Sequence, residues 1–257
     1  MNIQEIVNKV LPSLTEHQKR DLNWLLKESS GSPIRLKKQI HELLSGKPLA
    51  YILGYVPFYD CKIFVDKNCL IPRQETELLV DMIVKSCNGQ IDTNTKFLDL
   101  CSGSGAIAIA IQKKLKYEAD AVEIKKRCCK LIVKNSNFNE CKVNVINCDM
   151  FEKVNDKYDF IVSNPPYIET TEIEKLDSSV KDFEPHIALD GGKDGLDFYR
   201  KIAENSPTYL KENGQLFLEI GFEQAEKVSK LLEKNFTEIE IKKDYSNLDR
   251  FIFAKKR

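Results

Sequence analysis

The segment Asp159-Phe160-Ile161-Val162-Ser163-Asn164-Pro165-Pro166-Tyr167 concentrates residue types that could do chemistry. An apolar run of strand character ends in an amide, two prolines and a phenol. Asn164 offers a side-chain oxygen. Pro165 offers a backbone carbonyl in a turn whose direction the diproline rings restrict by locking φ, so little entropy is lost on binding. Two acceptors of this kind suit the two N–H bonds of a planar nitrogen in an amide or aromatic amine. Such a nitrogen is a poor nucleophile because its lone pair is delocalised, and it must be oriented before it attacks an electrophile. Pro166 completes the rigid turn, and the Tyr167 ring offers a flat face to a planar group.

A second constellation precedes it. Asp99-Leu100-Cys101-Ser102-Gly103-Ser104-Gly105 follows a short apolar run and opens a helical one. Glycines there allow positive φ and close approach of the backbone to a ligand. Glu123 lies twenty positions past Gly103, the spacing at which a carboxylate accepts two hydrogen bonds from a ribose diol. Both a dinucleotide and S-adenosylmethionine carry that diol. Asp99 separates them: an acid at the strand end suits an ammonium or its ordered water, whereas a pyrophosphate gains nothing from it. The turn therefore favours S-adenosylmethionine. Met150, after a later strand, could border an adenine or simply pack in the core.

Strands and helices alternate from Lys96 to the end, which predicts a doubly wound, mainly parallel sheet with ligands at the carboxyl ends of its strands. The expected strands are 96–100, one ending at 119–122, 143–146, 158–162 and 215–220, with helices from 125 and over 196–210. Before them, residues 3–45 read as three short helices. Thr15 and the Ser32-Pro33 pair start the second and third, and the third presents Ile34, Ile40, Leu43 and Leu44 as its apolar face. A hairpin follows within 56–71, then a helix over 75–85. The expected division is a helical domain over 1–55, a hairpin linker and connecting helix over 56–88, and a catalytic domain over 89–257.

Lys plus Arg equals Asp plus Glu at 39 each, so no global positive field points to nucleic acid. Hydrophobic residues at 42% and charged residues at 30% give an ordinary globular balance. No signal peptide or membrane span is legible, and the eight cysteines and three histidines lack metal-site spacing. A cytoplasmic monomer with reduced, buried thiols and no metal is expected.

Several further segments complete the pattern: Lys47-Pro48-Leu49-Ala50-Tyr51-Ile52-Leu53-Gly54, Leu70-Ile71-Pro72-Arg73-Gln74-Glu75-Thr76-Glu77, Phe183-Glu184-Pro185-His186-Ile187-Ala188-Leu189, Gly191 to Leu196, and Leu218-Glu219-Ile220-Gly221 with Gln224. With the Asn-Pro-Pro-Tyr motif and the glycine turn, they resemble the release factor glutamine methyltransferases over nearly the whole chain, most weakly over the first 45 residues. The resemblance implies a Rossmann-like class I methyltransferase domain with a mainly parallel seven-stranded sheet, preceded by a small helical bundle and a β-hairpin linker. It implies S-adenosyl-L-methionine as cofactor, S-adenosyl-L-homocysteine as product, and the N5 of the Gly-Gly-Gln glutamine of class 1 peptide chain release factors as methyl acceptor. Cofactor contacts would fall on Cys101, Ser102, Gly103, Ser104, Gly105, Glu123, Met150 and Asn164, beside Asp99. Substrate contacts would fall on Asn164, Pro165, Pro166 and Tyr167. A glutamine of a ribosomal protein, or an adenine-N6 or guanine-N2 in nucleic acid, is the alternative acceptor. Cys101 stands where many such enzymes carry glycine; a positive φ there would cost about 1 kcal/mol. Arg73 reads as a linker anchor pairing with a nearby acid, and the Gly191 to Gly195 loop as either a lid or a turn.

Overall fold

The computed structural model describes residues 3–28, 32–87 and 94–257. Four helices begin the chain: α1 (Ile3–Val10), α2 (Glu16–Glu28), α3 (Pro33–Leu44) and α4 (Leu49–Leu53). Their boundaries follow local chemistry. At the start of α2, the Gln18 amide N–H donates to Thr15 Oγ1 at 3.2 Å, and the Thr15 N–H donates to Gln18 Oε1 at 3.1 Å, a reciprocal capping box. Ser32 caps α3, with Pro33 in the first turn. The bundle encloses its own small core of Leu14, Leu22, Leu25, Leu36, Ile40, Leu43 and Ile52. The buried face of α3 differs from the expected one. Leu36, Ile40 and Leu43 recur at helical spacing and are buried, whereas Ile34, two positions before Leu36 and on the opposite side, is 85% exposed. Leu44 is also exposed.

The hairpin β1 (Tyr55–Phe58) and β2 (Cys61–Phe64) turns through Tyr59 in left-handed conformation, and α5 (Gln74–Cys87) follows. Both pack into one core with the sheet: Phe58, Ile63 and Val65 join Leu79, Ile83, Phe97, Ile109 and Phe160. The hairpin is thus built into the wall of the larger body. The boundary expected between 88 and 89 lies outside the described residues.

Beyond it come β3 (Lys96–Leu100), α6 (Ala106–Leu115), β4 (Glu118–Glu123), α7 (Lys126–Phe138), β5 (Val143–Asn147), β6 (Tyr158–Ser163), α8 (Ser178–Lys181), α9 (Asp197–Tyr209), β7 (Leu210–Glu219), α10 (Ala225–Leu232), β8 (Phe236–Lys243) and β9 (Asp249–Lys256). The seven large-sheet strands stand in the order β5-β4-β3-β6-β7-β9-β8. The first five are parallel neighbours; β9 is antiparallel to β7 and β8. The chain leaves β3 in one direction through β4 and β5, then returns to β6 on its other side. The switch point therefore lies at the carboxyl ends of β3 and β6, where the glycine turn and the Asn-Pro-Pro-Tyr motif emerge. β7 starts five residues earlier than expected, at Leu210, which pairs with Tyr158 across a register irregularity. No described helix is long and apolar enough to cross a membrane.

One buried amide joins hairpin, helix and turn. Asn135 of α7 is fully enclosed; its Oδ1 accepts from Phe64 N at 2.8 Å, and its Nδ2 donates to Phe64 O at 3.0 Å and Ser104 O at 2.8 Å. Asn139, one turn later, makes the same pair of bonds to Lys62. Asn135→Ala would strand one buried and two partly buried backbone groups, so a loss of roughly 1–3 kcal/mol in denaturant-unfolding stability is expected. A change below about 0.5 kcal/mol would contradict this bridging role.

Candidate active site

A cavity of about 240 Å³ opens at the switch point, with Cys101, Ser102, Gly103, Ser104, Glu123, Met150, Asn164 and Pro166 in its wall. The turn after β3 forms its floor. A Cβ built on Gly103 would meet nothing within 4 Å, so the backbone faces open space there. Glu123 ends β4 and is nearly buried. Its Oε2 accepts from Gly103 N at 2.9 Å and its Oε1 from Lys125 N at 2.7 Å, which leaves one further lone pair on each oxygen. Burial raises its pKa against those backbone donors. A carboxylate held this way can accept a vicinal diol.

Asp99 stands elsewhere than expected. It is absent from the cavity wall and fully buried behind the turn. Its Oδ2 accepts from Ser102 Oγ at 2.5 Å and from Ala108 N at 3.1 Å. Ala108 lies in the first turn of α6, whose cap, Gly105, has no side chain, so Asp99 satisfies a helix-end N–H across the turn. Burial pushes its pKa up to about 7, opposed by those two donors, and its Oδ1 has no partner in the protein. Gly105 is likewise a packing position: a Cβ there would lie 2.9 Å from Ile132 Cγ2.

Cys101 does adopt the positive φ that its position raised as a question, at 61°, and Met150 does the same at 44°. Two non-glycine residues thus hold left-handed backbone in one wall, at about 1 kcal/mol or more each. Their sulfurs lie 3.6 Å apart. Cys69, Cys128 and Cys148 also line the cavity, and all eight cysteines of the chain are free thiols.

Asn164 follows β6 directly. Its Nδ2 donates to Thr76 Oγ1 at 3.1 Å, and that hydroxyl donates to Glu219 Oε2 at 2.7 Å. Pro165 is buried and Pro166 lines the cavity. Tyr167 lies outside that wall; burial, reinforced by the nearby Glu219 and opposed by Arg250, pushes its phenol up to about 12. Every described peptide bond in this motif is trans.

The Gly191 to Gly195 segment is a packed support. A Cβ on Gly191 would lie 2.7 Å from Tyr167 Cα, and one on Gly195 2.4 Å from Tyr167 O. Gln224 spans the same place: Nε2 donates to Tyr167 O at 2.9 Å and Gly195 O at 3.2 Å, while Oε1 accepts from Gly221 N at 2.9 Å. Arg73 pairs with buried Glu184, as expected, and the other oxygen of Glu184 accepts from Ile71 N at 3.0 Å. Glu184 therefore ties the linker to the segment whose Ile187 and Ala188 line the cavity. Thr76, Asn135, Glu184, Glu219 and Gln224 were not singled out as site residues from residue chemistry. All but Asn135 lie in the segments that carried the resemblance. Gly195→Ala forces its methyl into Tyr167 O, so turnover at this site should fall at least tenfold while the affinity of the cavity for its ligand, measured by calorimetry, stays within about threefold. Unchanged turnover would refute the packing role.

The family described as "Methyltransferase small domain" matches residues 74–180. A release factor glutamine methyltransferase of Thermodesulfovibrio yellowstonii is 39% identical over 99% of this chain and 96% of its own length. One from Lactococcus lactis is 36% identical over 93% of this chain and 90% of its own. Among solved structures, a T. thermophilus 16S rRNA N2 G1207 methyltransferase in complex with AdoMet and guanosine superposes with a TM-score of 0.56 at 18% identity, covering 79% of this chain and 50% of that one, a likeness of fold. With a seven-stranded switch-point sheet and relatives matched nearly end to end, the chain belongs to the release factor glutamine methyltransferase family.

Proposed function

We propose that the chain methylates the N5 amide nitrogen of the glutamine in the Gly-Gly-Gln motif of class 1 peptide chain release factors. The observation that carries this reading is Asn164 in the wall of a cavity whose floor is the 101–105 turn and whose side is Glu123. The wall fits S-adenosylmethionine: Glu123 keeps lone pairs for the ribose hydroxyls, Gly103 leaves room beside the backbone, and Met150, Ile107 and Ile124 give the apolar surface an adenine needs. Asp99 would act on the cofactor through the turn it braces. Bound S-adenosylmethionine supplies a methyl group on a sulfonium, a strongly electrophilic carbon.

The chain's own residues then have to orient a weak nucleophile. Asn164 Oδ1 and the Pro165 carbonyl accept the two N–H bonds of the substrate amide and hold its nitrogen lone pair towards the cavity. Pro166 keeps that carbonyl direction fixed. Tyr167, braced by Gly191, Gly195 and Gln224, sets the far side of the acceptor pocket. Alignment supplies most of the rate, since the nitrogen becomes acidic only after transfer and its proton can leave to water. The helical region 1–55 holds the partner protein, with Trp24 and Ile34 on its exposed surface.

Asn164→Ala removes one of the two acceptors, so turnover should fall at least tenfold, corresponding to roughly 1.4 kcal/mol. The direct test incubates the protein with methyl-labelled S-adenosylmethionine and a purified class 1 release factor, wild-type or with its Gly-Gly-Gln glutamine changed to alanine. One methyl on that glutamine, absent from the variant, is expected by peptide mass spectrometry; no methyl despite measured cofactor binding would overturn the substrate. Ile34→Asp should raise KM for the release factor severalfold with kcat unchanged, and an unaltered KM would remove Ile34 from the docking surface.

A further inference from the structure

We propose that Thr76 and Glu219 are positioning residues that set which end of the Asn164 amide faces the substrate. This rests on the reading of the chain as a glutamine methyltransferase. The three side chains come from α5, the end of β7 and the end of β6, and they form one hydrogen-bonded cluster in which Thr76 joins Asn164 to Glu219 and the Asn164 amide also stabilises the charged Glu219 directly. Glu219 is 1% exposed, and its Oε2 accepts from Thr76 Oγ1 at 2.7 Å. A hydroxyl has a single proton. Once Thr76 gives that proton to an ionised Glu219, its oxygen can only accept from Asn164, so Nδ2 must face Thr76, as it does at 3.1 Å. The remaining end of the amide, Oδ1, is then the one presented to the acceptor nitrogen, which carries protons and needs an acceptor. Without this constraint an asparagine amide can turn over, and Nδ2 would meet the substrate N–H bonds donor against donor.

The direction of the chain depends on charge at Glu219. A protonated Glu219 donates to Thr76 Oγ1, freeing the Thr76 proton to point at Asn164 and favouring the reversed amide. Burial pushes Glu219 up to about 7; Thr76, Arg250 and Asn164 oppose that shift and Glu75 reinforces it. The phenols of Tyr167 and Tyr199 also lie close, and Tyr199 OH donates to the Glu219 backbone carbonyl at 2.9 Å. The sign follows: kcat should fall as pH drops through about 7, the range in which Glu219 takes up its proton.

The test measures kcat and KM for release-factor methylation from pH 6 to 8, with cofactor affinity by calorimetry and melting temperature for each variant. Thr76→Val removes the hydroxyl link and should lower kcat at least tenfold while leaving cofactor affinity within about threefold. Thr76→Ser keeps a hydroxyl and should restore most of kcat. Glu219→Gln removes the titrating group and should abolish the limb near pH 7, whichever way its own amide settles. Thr76→Val with kcat within twofold of wild type, or an unchanged limb in Glu219→Gln, overturns the proposal. Wild-type protein that binds cofactor yet transfers no methyl overturns the substrate reading beneath it.

Discussion

The rest of the site depends on how Glu123 is spent. One carboxylate, nearly buried at the end of β4, holds the Gly103 amide with one oxygen and the Lys125 amide with the other. It therefore pins the turn after β3 to the start of α7 while keeping lone pairs for a ligand. Taking a carboxylate out of water is costly unless its oxygens are bonded, and the backbone donors make this position tolerable. The same turn is braced from behind by Asp99 and from the side by Asn135. Three polar side chains, from a strand end, a strand interior and a helix, thus hold one five-residue loop in a shape that left-handed residues alone would leave strained.

The acceptor half of the site is organised differently. The Asn-Pro-Pro-Tyr motif is stiff because its prolines limit φ, and it is also underpinned. Gly191 and Gly195 approach the Tyr167 backbone so closely that no side chain fits between them, and Gln224 closes the contact with three hydrogen bonds. The loop is glycine-rich because of this approach. Glu184 performs a similar task at the roof, where one buried carboxylate joins Arg73 and the Ile71 amide to the segment bearing Ile187.

The sheet was legible in the sequence because parallel strands buried on both faces read as short, mainly apolar segments, as Phe97, Leu98 and Leu100 of β3 and Phe160, Ile161 and Val162 of β6 do. The carboxyl-edge placement of Asn164 and the glycine turn followed from that topology. What escaped was which way side chains point. Asp99, expected to serve an ammonium or its ordered water, turns out to be buried behind the turn with one oxygen on a helix end, a placement that residue type alone does not reveal. Ile34 was assigned to a core face, although the phase of α3 is set by Leu36. Asn135 carries no local signal, since a buried amide joining Phe64 to Ser104 involves residues 71 and 31 positions away. The Thr76 and Glu219 pairing spans 143 positions and is invisible for the same reason.

The four cysteines in the cavity wall bear on a hazard that any such enzyme faces. S-adenosylmethionine is an alkylating agent, and a thiolate is a far better nucleophile than a glutamine amide. Burial pushes the Cys69 thiol up to about 12, and it holds Cys101 and Cys128 far above the ordinary thiol range as well. At neutral pH a thiol shifted this way is far less ionised than an unperturbed cysteine. The low polarity of the wall thereby keeps the Cys69, Cys101 and Cys128 thiols protonated.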